Sequence, residues 1–408
     1  MKNLYRSPVV TSPITLMVVF AAVHIFFFIY TFPYYTTGAT FSDVDCYRSW
    51  AFDGMLNGEC YTIDIKWVYP VGAMLPFWAS AILGYQNYML AWVIMVTVLN
   101  LAAVLVLSRA GRSRYGTLAS YWWLVAITVL APVTVARIDG ISAPLAIIGM
   151  SLLAALPVFA GGILALATWI KIWPASIIVA ALIVSKNRLK IFLAGLGVSI
   201  AVALVTYFAG TTKYLFGFIT EQNGRNMQTE AVFNIPVYWA MISGAEQNRF
   251  FYNRDINTVE IVGPMAEGIA PWMQPLLILS LVVVAGLMLL ALRRGAHSAD
   301  LITVGAFALA AAMIVFNKVG SPQFNLWLVA ICAVGLATRP KIWKLPALGL
   351  LVVGAATTLI YPVLYDRIFV LDPGVIALLS ARNVLQILLF AWAIFELVKL
   401  LRTEPERL

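Results

Sequence analysis

Two aspartates lie two positions apart in the most acidic stretch of the chain. Five of the 18 acidic residues fall within 41–77, and Asp43 and Asp45 are the first two of them. A carboxylate can act as a general base when a substrate hydroxyl lies within hydrogen-bond reach. The alternative is a solvated acidic loop or a helix N-cap, a position at which Asp is favoured. Asp43 is therefore a candidate base.

Four basic residues could place positive charge near such a base. Near a membrane surface Arg binds phosphate through its bidentate fork and Lys as a point charge. A charge in hydrocarbon costs roughly 3 kcal/mol or more, so such residues usually face a protein interior or a cavity. Each could instead be a snorkelling anchor for its helix. The four stand in or beside apolar segments: Arg137, Lys171, Lys318 and Arg382.

The composition identifies the elements that must position these side chains. Hydrophobic residues make up 62% of the 408 residues and charged residues 11%, and the mean hydropathy is +0.90. A soluble domain has roughly 45–50% apolar and 25% charged residues. A water-soluble enzyme, a disordered chain and a nucleic-acid-binding domain are excluded, although the net charge is +9. The sequence predicts a protein whose partners include membrane lipids and no nucleic acid.

Twelve apolar segments are predicted to be membrane helices, although several are shorter than the roughly 20 residues that a span usually needs. A further stretch, 68–83, is interrupted by Pro70, Gly72 and Pro76, and we expect it to lie on the outer surface. The twelve predicted spans are 12–32, 87–107, 117–136, 141–156, 158–173, 174–185, 191–208, 274–292, 301–316, 323–337, 345–361 and 384–401.

The basic residues set the predicted orientation. If 68–83 does not cross, 16 basic and 4 acidic residues fall on the side of the N-terminus, and 11 basic and 14 acidic residues on the other. Basic residues gather in cytoplasmic loops. The sequence therefore predicts a multi-pass protein of the plasma membrane, with both termini cytoplasmic and one transmembrane domain over 1–408.

Two long segments, 33–86 and 209–273, are predicted to lie outside, with a shorter one at 362–383. Functional groups gather where loops are long, so we expect the extracytoplasmic face to carry the active site. Within the first segment we expect a helix-like run from Tyr47 to Leu56 and a second short surface helix opening at Tyr69-Pro70. The predicted fold class is an all-α polytopic membrane protein.

Other chemistries lack their motifs. No His/Cys cluster has zinc spacing, and there is no phosphate-binding glycine loop, nucleophile elbow or dinucleotide fingerprint. No metal or other cofactor is therefore expected. Cys46 and Cys60 share the first outer segment, in a compartment that permits oxidation. A disulfide that closes the segment and two free thiols both remain open.

The pattern resembles the GT-C class of membrane glycosyltransferases, and most closely the family-87 polyprenol-phosphate-mannose-dependent mannosyltransferases of actinobacteria. In that family an Asp in the first outer loop is followed four residues later by Tyr, then by Gly-x-x-Tyr and Tyr-Pro-Pro. A Lys-x-x-Pro pattern and a Ser-Pro-Gln run with a Trp behind it match further on, whereas Val71 replaces the second Pro of the third motif. The matching positions are Asp43 and Tyr47, Gly58 and Tyr61, Tyr69-Pro70, Lys171 and Pro174, and Ser321-Pro322-Gln323 with Trp327.

The resemblance implies inverting transfer of one sugar from a polyprenyl-phosphate donor to a glycolipid or polysaccharide acceptor, without a metal. Mannose is the usual sugar of the family, and arabinose on a polyprenyl phosphate is the alternative. Asp43 would be the general base, and segment 209–273, which contains Arg225, would help to choose the acceptor. Asp45, Tyr47 and Tyr69 would orient the acceptor or support the loop. The candidates for the donor phosphate are Arg137, Lys171, Lys318, Gln323 and Arg382.

The alternative function is a secondary transporter or lipid flippase of cell-envelope assembly. Such proteins often contain two-fold repeats and place ionisable residues or broken helices near the bilayer midplane. The sequence shows no convincing repeated halves, and Lys171 is its one deep cation. A noncatalytic scaffold is a third possibility. Charge at the outer ends of the spans and one long acidic segment favour an enzyme.

Overall fold

A computed structural model describes residues 9, 11–58, 61, 64–210, 212–220, 225–244, 247–254 and 258–402. Helices dominate these residues. Short 3-10 turns at Val71–Ala73, Val232–Asn234 and Pro322–Phe324 lead into three of the helices, and a wider turn at Leu359–Val363 follows another. The helices are α1 (Pro13–Thr37), α2 (Val44–Asn57), α3 (Met74–Ala81), α4 (Tyr88–Leu107), α5 (Arg114–Val129), α6 (Ala131–Ala136), α7 (Asp139–Leu152), α8 (Pro157–Ile170), α9 (Ala175–Val184), α10 (Arg188–Phe208), α11 (Gly217–Thr220), α12 (Ile235–Ile242), α13 (Pro264–Arg293), α14 (Ser298–Val315), α15 (Asn325–Thr338), α16 (Pro340–Thr358), α17 (Tyr365–Phe369) and α18 (Pro373–Leu400).

Each of the twelve predicted spans coincides with helix. Lipid offers no hydrogen bonds, so an apolar segment in a bilayer must satisfy its backbone internally, which a helix does. Seven helices of the described chain are long and apolar enough to cross a membrane: α1, α4, α10, α13, α14, α16 with the turn after it, and α18. The protein is therefore a mostly helical, multi-pass membrane protein. The count of twelve crossings, which needs the shorter α7, α8, α9 and α15 and the divided pair α5–α6, stays a prediction.

The centre of the bundle is formed by α7, α14 and α15, which pack against one another or share neighbours. Of the 18 residues of α14, 78% are buried. In the most apolar 18-residue stretches of α10 and α13, only 11% and 17% of the residues are buried. The alanine-rich stretch 306–312 of α14 lets neighbouring helices approach closely, as small residues do between membrane helices. The apolar surfaces of α10 and α13 remain on the outside, where lipid would cover them.

The stretch 68–83 forms only the 3-10 turn and α3, over residues 71–81. Eleven helical residues rise about 16 Å, roughly half the thickness of the hydrocarbon core. Met74 and Phe77 are fully buried, and α3 packs on α2 and α4. This short, packed helix has the dimensions expected of a segment that does not cross. Its position at the outer surface stays a prediction.

A small antiparallel sheet departs from the predicted all-α architecture. Its strands are β1 (Met227–Gln228), β2 (Arg249–Asn253) and β3 (Thr258–Val262), in the order β1-β3-β2. Glu260 of β3 pairs with Gln228 on one side and with Phe251 on the other. Segment 209–273 therefore contains regular structure, whereas the sequence predicted only a loop.

Several helix boundaries differ from the predicted ones, and the two largest differences are at the starts of α13 and α18. α1 continues to Thr37, where Gly38 ends it in a left-handed conformation, φ 65°, as Gly often does after a helix. α13 begins at Pro264 rather than at 274, and α18 begins at Pro373 rather than at 384. The Asp372 carboxylate accepts the backbone N–H groups of Gly374 and Val375, at 3.0 and 3.1 Å, and so caps α18. Glu267 in α13, and Ser380, Arg382 and Asn383 in α18, interrupt the apolar pattern, so the predicted segments begin after them.

Candidate active site

Asp43 stands immediately before α2, and its own backbone is already helical, φ −64° and ψ −15°. Ser42 adopts a left-handed conformation, φ 58°, which is costly for a residue other than Gly. The Asp43 carbonyl accepts the N–H of Tyr47 at 3.0 Å, while its side chain makes no capping bond. The carboxylate forms an ion pair with Arg137 and is 30% exposed. A substrate hydroxyl could therefore still reach it.

Arg137 lies in the break between α6 and α7, where its backbone is extended, φ −126° and ψ 147°. Its side chain is only 11% exposed. Besides the Asp43 carboxylate, the guanidinium contacts the ring of Tyr361, whose centroid lies 4.9 Å from Cζ. The Tyr361 hydroxyl is 2.5 Å from Oγ of Ser42. Tyr361, in the turn that follows α16, thereby packs against the Asp43–Arg137 pair.

Lys171 occupies the equivalent break between α8 and α9, again on an extended backbone, φ −151° and ψ 132°. Its Nζ lies 4.3 Å from the centroid of the Tyr69 ring, an attractive cation–π geometry. Its charged neighbours are Asp139, Asp43, Arg137 and Arg225. The structure therefore brings Lys171 to Asp43 and Arg137 from a different pair of helices.

A close approach of backbones fixes this arrangement. Gly72 follows the Tyr69-Pro70 turn and packs on the end of α8. A Cβ at Gly72 would lie 2.6 Å from the carbonyl oxygen of Trp169, two residues before Lys171. Only Gly allows the turn that carries Tyr69 to approach the helix that carries Lys171 so closely.

Tyr47 and Tyr69 form the buried floor of the site. The Tyr47 hydroxyl accepts the backbone N–H of Ile138 at 3.2 Å, and its ring stacks on Phe77 with centroids 4.4 Å apart. Burial, followed by the nearby charge of Asp43, raises the pKa of Tyr69, and burial also raises the pKa of Tyr47. Both hydroxyls are therefore neutral near pH 7. They tie the first outer segment to the break before α7.

Two residues to which the sequence gave no site role lie beside the cations. Asp139 is fully buried at the start of α7, and its Oδ1 accepts the indole N–H of Trp327 at 2.6 Å. The chain offered a hint of this contact, because Asp139 follows Arg137 by two positions and Trp327 follows the Ser-Pro-Gln run. The contact itself joins residues 188 positions apart, so spacing alone could not reveal it.

Lys318 and Arg225 extend the positive region toward the sheet of β1, β3 and β2. The Lys318 carbonyl accepts the N–H of Gln228 in β1 at 2.9 Å. Burial lowers the pKa of the Lys318 ammonium, whose charged neighbours are Glu260 and Arg225. Arg225 is 8% exposed and interacts with both Lys318 and Lys171. Arg225 thus lies near both lysines, and its expected part in the choice of acceptor stays a prediction.

Gln323 is 4% exposed at the start of α15, and its Oε1 accepts the hydroxyl of Ser321. Its amide therefore belongs to the turn before α15. Gly320, just before this turn, packs against the backbone of Glu230 and Ala231. A Cβ at Gly320 would lie 2.1 Å from the backbone nitrogen of Ala231. The chain between Lys318 and Gln323 is thus fixed against segment 209–273.

Arg382 lies in a different environment. Its guanidinium forms an ion pair with Glu230, and both side chains are at most 2% exposed. Nε and Nη2 also donate to Oδ1 of Asn383, at 3.0 and 2.7 Å. It belongs to the third turn of α18 rather than to the opening of a span. The ion pair holds α18 against segment 209–273, which contains Glu230.

Asp45 fastens the start of the first outer segment. Its Oδ1 accepts the hydroxyl of Thr40 at 2.7 Å and the guanidinium of Arg48 at 2.7 Å. Arg48 also donates to the carbonyl of Gly38 at 2.7 Å. These bonds favour loop support among the two roles left open for Asp45. Whether Cys46 and Cys60 form a disulfide stays open, because Cys60 lies outside the described residues.

The arrangement combines one accessible carboxylate with several buried or half-buried cations. The carboxylate can take a proton from a hydroxyl. The cations can stabilise negative charge that develops on a neighbouring phosphate, and they do so more strongly in a site that excludes water. Within the described part of the chain, no group of three His, Cys, Asp or Glu side chains could hold a metal ion.

Comparison with known proteins gives one match. The family model for glycosyltransferase family 87 matches residues 67–308, more than half of the chain. This range includes Tyr69, Arg137, Asp139 and Lys171, and it ends before Lys318. No curated protein and no solved structure matched the chain.

Proposed function

Since the chain belongs to glycosyltransferase family 87, we propose that it transfers one mannose from a polyprenyl-phosphate donor to a glycolipid or polysaccharide acceptor, with inversion. The observation that carries this proposal is the ion pair of Asp43 with Arg137, with Lys171 among the charged neighbours of both. A base for the acceptor and positive charge for the leaving phosphate thus occur in one place.

Asp43 acts as the general base. An inverting transfer needs one base, on the face of the sugar opposite the leaving group. The acceptor oxygen attacks the anomeric carbon while its proton passes to the Asp43 carboxylate. The bond from the anomeric carbon to the phosphate oxygen breaks, and its electron pair leaves with the polyprenyl phosphate. Proton transfer to a positioned base contributes about 10²- to 10⁴-fold to a rate.

Arg137 and Lys171 hold the donor phosphate. The leaving phosphate gains negative charge as its bond to the sugar breaks, so cations that are already in place stabilise it most at that stage. Arg225 links this pair to Lys318, and these two extend the binding region toward the acceptor side. Arg382 supports the fold instead, because Glu230 already neutralises it.

The donor reaches the site from the bilayer. Its polyprenyl chain stays in lipid, and the phosphate meets the cations at the ends of the spans. We place these ends on the extracytoplasmic face of the plasma membrane, because basic residues are concentrated on the opposite side. Tyr47 and Tyr69 hold segment 33–86 in place beside Arg137 and Lys171.

Transfer of radiolabelled mannose from polyprenyl-phosphate mannose by the purified protein in vesicles tests the proposal. Asp43→Asn should lower kcat by about 10² or more, because the amide cannot take the proton. Asp45→Asn is the matched control, since it removes a carboxylate two positions away that only supports the loop. It should retain activity within about tenfold. Full activity of Asp43→Asn would exclude this base.

The same vesicles separate the alternative function. A transporter or flippase would move a solute or lipid across the vesicle membrane without forming a glycosyl product. Transport without product in the wild-type protein would therefore overturn the proposed function. A product formed only with the donor outside, in vesicles of known orientation, would support the predicted side of the active site.

A further inference from the structure

Asp139 is a buried carboxylate that the proposed reaction does not use. It is the first residue of α7 and is fully buried. We propose that Asp139 is a positioning residue, which holds the ammonium of Lys171 in place for the donor phosphate. This inference rests on the proposed function. It gives a role to a side chain that touches neither the sugar nor the phosphate.

The surroundings of Asp139 fix the direction of its carboxylate. Oδ1 accepts the indole N–H of Trp327 at 2.6 Å. The Trp327 ring lies parallel to Trp173, with centroids 5.9 Å apart, and contacts Phe324 at 4.2 Å. The indole of Trp173 in turn donates to the hydroxyl of Ser142 at 2.9 Å. With its neighbours held in this way, Asp139 cannot turn out toward a substrate.

One oxygen of this carboxylate needs compensation by a charge. Within the part of the chain that the structure describes, Oδ2 of Asp139 is buried and has no hydrogen-bond donor. A buried carboxylate without a paired charge is strongly unfavourable. Lys171 is its main cationic neighbour, ahead of Arg137, and Asp139 is in turn the main anionic neighbour of Lys171. The Asp139 and Lys171 charges therefore lie near enough to attract each other across the α7–α8 contact, although no ion pair within 4 Å joins them among the described residues.

Lys171 needs such a partner more than Arg137 does. A lysine ammonium is a point charge on a flexible four-carbon stem, whereas a guanidinium is a rigid planar fork. Arg137 is already fixed between Asp43 and Tyr361. Lys171 is half-buried and contacts the face of Tyr69, an attraction that restricts its direction only loosely. Without Asp139, the ammonium would be free to move toward Asp43.

Asp139 thereby also protects the base. Asp43 and Asp139 are both anionic neighbours of Lys171. If the ammonium paired with Asp43, it would occupy the oxygen that must take the proton. By holding Lys171 on the buried side, Asp139 leaves Asp43 to Arg137 and to the acceptor. The two carboxylates thus have separate partners and separate tasks.

A double-mutant cycle on purified protein in vesicles tests this role, with the donor KM as the readout. Asp139→Asn keeps an oxygen that can accept from Trp327 and removes only the charge. It should raise the donor KM about 10- to 100-fold, the range for loss of the charge-assisted contact between Lys171 and the donor phosphate, and leave the acceptor KM unchanged. Lys171→Met should have a similar effect. In the Lys171→Met background, Asp139→Asn should change the KM by no more than about twofold.

Asp300→Asn is the matched control. Asp300 is also a buried carboxylate, 4% exposed, but it pairs with Arg339 at the amino end of α14. That end is about 27 Å along the helix from the turn that carries Lys318. The donor KM of this variant should equal that of the wild-type protein. If Asp139→Asn does not fold, Trp327→Phe releases the carboxylate with all charges kept, and its smaller rise in KM should also vanish in Lys171→Met.

Two results would overturn the proposal. One is an unchanged donor KM in Asp139→Asn, and the other is an effect of Asp139→Asn that multiplies fully with that of Lys171→Met, as expected for a purely structural residue. Binding of polyprenyl phosphate alone, measured by thermal stabilisation in detergent, provides the same cycle without any sugar transfer. If the wild-type protein forms no product, the proposed function fails, and this binding cycle still decides the role of Asp139.

Discussion

Two roles are possible for Arg382, a ligand of the donor phosphate and a charge that stabilises the fold, and a mutation can distinguish them. Its partner is Glu230, 152 positions earlier in the chain, and the two side chains are 2% and 1% exposed. Its Nη2 also donates to the Glu230 carbonyl at 3.3 Å. We therefore expect Arg382→Met to destabilise the protein rather than to weaken donor binding. Removing it leaves the buried Glu230 carboxylate without its cation.

The expected magnitude follows from burial. Breaking a buried ion pair by removing one partner costs about 3–5 kcal/mol, because the other charge is left uncompensated. Replacing both partners by uncharged residues of similar size is often nearly neutral. Arg382→Met and Glu230→Gln should each lower the free energy of unfolding by about this amount. The double variant should recover most of the loss.

Unfolding in mixed detergent and SDS micelles, followed by tryptophan fluorescence, measures these free energies. The donor KM, measured on the folded fraction at low temperature, should change by less than about threefold in the double variant. A stable Arg382→Met protein with a donor KM raised tenfold or more would refute the reasoning. Arg382 would then be a ligand of the donor phosphate, as the sequence predicted.

Two further predictions concern local packing and orientation. Gly72→Ala should cost about 1–3 kcal/mol of stability, because its Cβ would meet the Trp169 carbonyl, a backbone atom that cannot move aside. Gly162→Ala, with nothing near its Cβ, should be neutral or stabilising by up to about 1 kcal/mol in the same unfolding assay. In a variant without native cysteines, Ser113→Cys and Ser185→Cys should react with an impermeant thiol reagent only from the cytoplasmic side. Outside labelling of the Ser113→Cys variant would show that 68–83 crosses.

Local pattern was sufficient for the helices. A run of apolar residues in lipid has to satisfy its own hydrogen bonds, so hydropathy alone located helix at all twelve predicted spans. Hydropathy placed the first residues of α13 and α18 about ten positions too late. Their first turns, at 264–273 and 373–383, contain polar residues and prolines, which hydropathy does not count as helix. The cap formed by Asp372 shows that local hydrogen bonds set such an end.

Local sequence pattern could not predict the structure of segment 209–273. Strand β1 has two residues, and β3 pairs with it across about 30 positions. Sheet pairing of this kind depends on partners that are distant in the chain, and two-residue strands leave no alternation to detect. The sequence therefore predicted a loop where the structure has a sheet, and it could not place Arg225 beside Lys171 and Lys318.

The sequence by itself determined a membrane protein, the positions of its helices, and Asp43 as the residue to test. These conclusions follow from composition, from local hydrogen bonding in lipid and from short motifs. Only the tertiary structure decided which charges meet: Arg137 pairs with Asp43, Lys171 has both Asp139 and Asp43 among its charged neighbours, and Arg382 pairs with Glu230 instead. A charge at a helix end has the same appearance in the sequence whatever its partner, because an ion pair is fixed by packing between distant helices.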